Sequence, residues 1–230
     1  VIRADEVWDD FLASLDEVRR DPGVAAETVH RARAAASRLC AWLELGGHRA
    51  LRDDLRWVRR RAAPLRDADV ALARHLPPPM AAWLAIERRH RRDDFASGLS
   101  HPRLDALRHA MPLLRPLSRS HAESVVKAIE RRMRRRADEV KDDAPPETIH
   151  RLRRTVRRLR NAREWLGTGT AGLHAALQAF GELNDTASLA RLADECPAGT
   201  VPADFTRDLR VRMEEERRRA IEVWRRTDPA

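Results

Sequence analysis

Apolar residues recur at three- and four-residue spacing along almost the whole chain. That is the period of amphipathic helices, and it predicts an all-α fold. Glycines are few, at nine in 230 residues, and β-branched residues are sparse, which agrees with it. The pattern places helices at roughly 4–20, 24–46, 48–63, 65–76, 79–97, 102–139 (broken near Pro112 and Pro116), 146–166, 171–194 (broken near Asn184) and 204–226. The intervals fall on helix-stopping punctuation: Asp21-Pro22-Gly23, Gly46-Gly47, Pro77-Pro78-Pro79, Pro145-Pro146 and Cys196-Pro197. No low-complexity linker divides the chain, so residues 1–230 are expected to form one compact helical unit.

Within this pattern the segment 148–160, TIHRLRRTVRRLR, stands apart, because six of its thirteen residues are arginine. At about 100° per residue, Leu152, Val156, Leu159, Ala162 and Leu166 gather opposite His150. Arg153, Arg154, Arg157 and Asn161 gather with it, so the helix has one apolar and one basic face. An earlier segment repeats the design. TVHRARAAASRLCAWLELGG at 28–47 aligns with TIHRLRRTVRRLRNAREWLG at 148–167, matching at eight of twenty positions with an offset of 120. Val29, Ala32, Ala36, Leu39 and Leu43 form its apolar face; His30, Arg33 and Ser37 lie opposite, with Arg38 on the flank. The next helix in each case ends in a related phrase, LRDADV at 65–70 and LNDTAS at 183–188. A repeat this long points to a duplicated helical bundle, not a short-repeat solenoid.

Charge narrows the partner. The chain holds 45 Lys and Arg against 36 Asp and Glu, a formal net charge of +9, and only Lys127 and Lys141 are lysines. That balance favours polyanions such as nucleic acid, acidic headgroups or phosphate chains. Arginine's planar fork pairs bidentately with phosphate oxygens. Between Arg151 and Arg163 no acidic residue interleaves, so the helix carries like-charge repulsion that a bound anion would relieve. Cys40 and Cys196 lie far apart and outside any CxxC spacing, which suits a reduced cytoplasmic protein. No apolar run is long enough to span a membrane. The chain begins Val-Ile-Arg without an initiator Met, as expected of a piece of a longer protein.

Other chemistries fit less well. Arginines within one turn of His30 and His150 disfavour a bound cation, so no metal is expected. No local motif supplies a nucleophile with an oriented base, and there is no Gly-rich phosphate loop. Tyrosine is absent, and Trp42, Trp83, Trp165 and Trp224 suit the core or bundle edges better than stacking platforms for single strands. Duplex nucleic acid, held by the same arginines, stays as the alternative partner.

The two histidine phrases, followed by LRWVRRRAAPLRDADV and LQAFGELNDTASL, resemble the CHAD domain, the conserved histidine α-helical domain. SHPRLDAL at 100–107, the basic run RRMRRRADEV at 131–140 and the closing helix RMEEERRRAIEVWRR extend the resemblance over essentially the whole chain. It implies two pseudo-symmetric four-helix bundles, about 1–115 and 116–230, around a basic central cavity. It also implies binding of inorganic polyphosphate, association with polyphosphate granules, no cofactor and no catalysis by this domain. Some members are fused to a CYTH triphosphatase domain that carries the catalysis. By the family motif the binding residues are His30, Arg33 and Arg38, then Arg56, Arg60 and Arg66 on the following helices, and His150, Arg153, Arg157 and Arg158. Arg154 on the same basic face, and Arg131 and Arg135 in the run ahead of it, complete the expected set. Ser37, Cys40 and Asn184 depart from the family pattern, so the second half is expected to contribute more.

Overall fold

Residues 2–227 are described by a computed structural model. They form α1 (Ala4–Arg20), α2 (Ala26–Leu45), α3 (Arg49–Arg61), α4 (Ala63–Leu72), α5 (Pro78–Gly98), α6 (Pro102–Ala110), a 3₁₀ turn (Met111–Leu113), α7 (Arg119–Asp138), α8 (Pro146–Leu166), α9 (Ala171–Glu195) and α10 (Ala203–Arg225). There is no strand among the described residues, and the protein is all-α as the periodicity predicts. None of these helices is long and apolar enough to cross a membrane.

Two boundaries repay comparison with the sequence pattern. The segment 102–139 does divide at its prolines. Pro112 is the second residue of the 3₁₀ turn, and Leu114 leaves it in an extended conformation (φ −75°, ψ 138°) before α7 starts. The break expected near Asn184 is absent, and α9 runs straight through it. Asn184 turns its amide outward to His150 (Oδ1 to Nδ1 3.1 Å) instead of competing for its own backbone. Leu183, Thr186 and Leu189 on the buried face hold the helix in register there.

The first histidine segment becomes α2 and the second α8, and each is fixed by local chemistry at its ends. Pro146 sits in the first turn of α8, where its missing N–H costs nothing. Gly167 closes that helix in the left-handed region (φ 66°), and Thr168 N–H returns to Arg163 O at 3.0 Å. The matched glycine after α2, Gly47, is also left-handed (φ 77°), with His48 N–H donating to Leu43 O at 2.8 Å. Only glycine takes this conformation without a steric penalty.

α8 packs against α7, α2 and α9, and α2 against α1, α3, α4, α7 and α8. Ile149, Leu152, Val156, Leu159 and Ala162 are buried on its inner face, as are Val29, Ala32, Ala36, Leu39 and Leu43 on α2. Truncating one such leucine to alanine would cost about 2–5 kcal/mol. Because α8 is covered on several sides, Asn161 is buried too, although the two-face pattern puts it with the basic residues. Trp42 and Trp165 close the far end of the α2–α8 contact with ring centroids 6.5 Å apart. A second, smaller core joins the end of α4 and the start of α5 to the end of α9 and α10, through Ala68, Met80, Leu84, Leu189, Leu192 and Leu209.

Candidate functional site

Most arginines of this protein have carboxylate partners. Arg88 reaches Asp69 at 2.6 Å, Arg91 reaches Glu195 at 2.8 Å, and Arg225 reaches Asp142 at 2.7 Å. One group does not. Arg33 on α2, Arg59 on α3, Arg66 on α4, and Arg153, Arg154 and Arg157 on α8 have no carboxylate oxygen within 4.0 Å among the described residues. Buried Nε atoms without partners occur on paired arginines as well, such as Arg52 and Arg92, so what distinguishes Arg33, Arg153 and Arg157 is burial together with the missing carboxylate.

These side chains converge because α2, α3, α4, α8 and α9 pack around one another. Arg59, Arg66 and Arg153 all act electrostatically on Arg33, whose one hydrogen bond is to Ala62 O at 3.2 Å. Arg157 lies within reach of Arg153, Arg59, Arg33 and Arg154. Burial together with these like charges pushes the Arg157 guanidinium down to about 9, and burial is the larger cause. Arg33 is pushed down to about 10, again mainly by burial, with Asp67 opposing. Arg153 is lowered by burial as well, offset in part by Asp185.

Two carboxylates act on Arg153, and one of them on Arg33, and the two occupy matched places in the related phrases LRDADV and LNDTAS. Asp67 on α4 and Asp185 on α9 lie within electrostatic reach of each other. Asp67 is tied to Arg191 at 2.8 Å, and burial raises its carboxyl above the ordinary range. The cluster therefore holds a large excess of positive charge in a half-buried setting, where screening by water is reduced.

His150 stands at one end of the cluster, one turn before Arg153 and Arg154. Burial, then Arg153 and Arg154, lower its imidazole from the ordinary 6.5, while the bond to Asn184 opposes this. An open recess of about 290 Å³ lies beside it, bordered by His150, Arg153 and Asn184 over an apolar floor that includes Ile149, Phe180 and Leu183. His30 is exposed on α2, one turn before Arg33.

The remaining residues expected from sequence sit elsewhere. Arg158 is turned to the other flank of α8, where it donates to Glu44. Arg38 is exposed on the edge of α2, 3.8 Å from Glu164. Arg56 pairs with Asp53 at 3.3 Å, and Arg60 is exposed on α3. Arg131 and Arg135 are exposed on α7, on the side opposite its buried Ala122, Val126, Ile129 and Met133. The α7 arginines that turn toward α8 are Arg132 and Arg136, and Arg136 donates to Arg151 O at 2.9 Å and to Thr155 Oγ1.

Arg59, Asp67 and Asp185 were not singled out from sequence. A signal for Arg59 exists, since Arg52, Arg56 and Arg59 share one face of α3 at i, i+4, i+7, and all three act on Cys40 of α2. Among the described residues no group of three or more His, Cys, Asp or Glu could hold a metal ion.

A family model described as the CHAD domain matches residues 3–194. Among solved structures, the CHAD domain from the plant Ricinus communis has a TM-score of 0.71 at 22% identity, covering 98% of this chain and 86% of that one. PptA from Streptomyces chartreusis has a TM-score of 0.71 at 18% identity, covering 97% of this chain and 94% of that one. At these identities the likeness is one of fold. None of the curated proteins matches the chain in sequence.

Proposed function

The chain belongs to the CHAD domain family, and we propose from that premise that it binds inorganic polyphosphate through the arginine cluster between α2 and α8. The observation that carries this reading is the convergence of Arg33, Arg59, Arg66, Arg153 and Arg157 without carboxylate partners, in a protein that pairs most of its other arginines. Such a group is electrostatically unfavourable by itself and becomes favourable when a dense anion threads it. A polyphosphate chain has charge on every unit and no bases, so it needs neither stacking platforms nor a base-reading surface. Guanidinium forks grip its oxygens by charge-assisted, often bidentate hydrogen bonds. His150 and His30 add N–H donors at the entrance.

The 120-residue repeat fits an internal duplication, with two related helical bundles placing their histidine helices face to face around a basic centre. In this reading Asp67 and Asp185, at matched positions, are the resident counter-charges that the ligand's phosphates replace. The protein acts as a binding module and not as an enzyme, serving polyphosphate granules or delivering chains to a partner triphosphatase.

Calorimetric titration with polyphosphate, repeated in excess double-stranded DNA, tests the reading. Tight binding that survives the DNA is expected. Displacement by the duplex would assign the arginines to nucleic acid instead. Release of orthophosphate from the polymer by this chain alone would overturn the binding-only role.

A further inference from the structure

The basic surface does not end at the buried cluster. On the C-terminal half of α7, Arg131, Arg132, Arg134, Arg135 and Arg136 have no carboxylate within ion-pair distance among the described residues. Some solvent-facing arginines elsewhere are neutralised by a residue three or four positions away: Arg119 by Glu123 (3.0 Å), Arg218 by Glu214 (2.9 Å) and Arg108 by Asp105 (3.2 Å). Others, such as Arg19, Arg89 and Arg210, are not, but the α7 run packs five arginines into six positions with no acidic residue between Glu130 and Asp138. A plain solvated helix face this dense in arginine would be expected to interleave acidic residues.

Geometry joins part of this strip to the site. α7 packs along α8, and Arg136 spans the two helices through its bonds to Arg151 O and Thr155 Oγ1. Arg132 lies one turn earlier on the same edge of α7, exposed and within reach of Arg158. Arg154, exposed on α8, is a neighbour of Arg136 on one side and of Arg157 and His150 on the other. Guanidinium groups therefore follow one another from the half-buried cluster, over Arg154, to the α7 edge. Glu139 sits 3.8 Å from Arg151 and acts electrostatically on Arg136, against the like charges of Arg132, Arg154 and Arg151.

Resting on the reading that the cluster binds polyphosphate, we propose that Arg154, Arg136 and Arg132 form an outer track that carries the emerging part of a long chain across α8 onto α7. The inner cluster holds a short run of phosphates, and the track adds contacts only when the polymer is long enough to leave it. The protein is thereby selective for long chains, and the selectivity resides in α7.

The test compares a long-chain polyphosphate with tripolyphosphate on three proteins: wild type, the inner variant R153Q/R157Q, and the outer variant Arg132→Glu. Arg132 is exposed and makes no hydrogen bond to the fold, so the outer variant should remain folded, which a thermal melt checks. Wild type should bind the long chain more tightly. The outer variant should lose that advantage several-fold and reduce the salt slope for the long chain by about one or more, with tripolyphosphate binding unchanged. The inner variant should lose both ligands. An outer variant that binds the long chain like wild type, or that weakens both ligands equally, overturns the track and leaves the inner site standing. A wild type that binds both ligands equally also overturns it. Failure of wild type to bind either ligand removes the functional reading itself.

Discussion

Arg158 on α8 donates to the carboxylate of Glu44 on α2, and the positions matched to these two residues across the repeat face each other as well, with Arg38 Nε 3.8 Å from Glu164. Each histidine helix thus supplies an arginine to a carboxylate of the other. The two contacts differ in strength. Glu44 is nearly buried and also accepts from Arg52 at 2.8 Å, whereas Arg38 is half-exposed and far from its partner.

Glu44→Gln would leave Arg52 and Arg158 facing a neutral amide in a poorly hydrated place. We expect a loss of about 2 kcal/mol, or roughly a 5 °C fall in Tm for a chain of this size. Glu164→Gln, which loosens the long Arg38 contact and weakens the Arg160 pair within the same helix (2.9 Å), should cost less, about 1 kcal/mol. Urea unfolding of the two variants side by side checks the asymmetry, and equal losses would contradict it.

This pairing shows how far the sequence could be read. The helical period located nearly every element, and the wheel placed Arg153, Arg154 and Arg157 on a common face with His150. Alignment of the repeat matched Arg38 with Arg158 and Glu44 with Glu164 by identity. It could not say that they meet, because contact across helices depends on crossing geometry that no single helix encodes. The same limit hid that Arg158, expected among the binding residues, donates to Glu44. It also selected Arg131 and Arg135 on α7, although the buried register of Val126, Ile129 and Met133 turns Arg132 and Arg136 toward α8. Asn184 was read as a helix breaker from its intrinsic tendency, which a tertiary bond to His150 overrides.

Arg157 sits in the folded protein against its own electrostatic interest. Replacing it with methionine, of similar length and without charge, should stabilise the free protein by about 1 kcal/mol while weakening polyphosphate binding. Thermal melts with and without the polymer expose the exchange. The variant should melt higher alone and gain less from ligand than wild type does. A variant that melts lower in both conditions would mean that Arg157 is a structural residue.

Asp67 carries negative charge into the same cluster, near Arg33 and Asp185. Asp67→Asn keeps the shape and removes a competitor for the arginines, so polyphosphate should bind about three- to tenfold tighter, as expected when one like charge is removed at short range. Arg191 loses Asp67 in this variant but keeps Glu195 at 2.5 Å and is half-exposed, so the cost to stability should stay below about 1 kcal/mol. Competition titration against wild type gives the answer, and weaker binding would show that Asp67 positions Arg33 instead of opposing the ligand.

His150 gives the site its pH dependence, and the sign follows from its environment. In the free protein the imidazole titrates below its ordinary 6.5, because burial and then Arg153 and Arg154 disfavour its charged form. The unfolded chain, with its higher histidine value, takes up this proton first. The contribution of neutral His150 to stability is therefore present above about pH 6.5 and is lost as pH falls through the native value. Bound polyanion reverses the balance by favouring the imidazolium, so the complex takes up a proton that the free protein does not hold. Affinity should then rise as pH drops below about 6.5 and level off once His150 is charged in the free protein too, by roughly tenfold for each unit its value gains on binding. His150→Gln keeps a donor but cannot titrate, and its affinity profile should be flatter than that of wild type across the same range. Titration calorimetry in buffers of different ionisation enthalpy would count the proton directly, and parallel profiles for the two proteins would remove His150 from the mechanism.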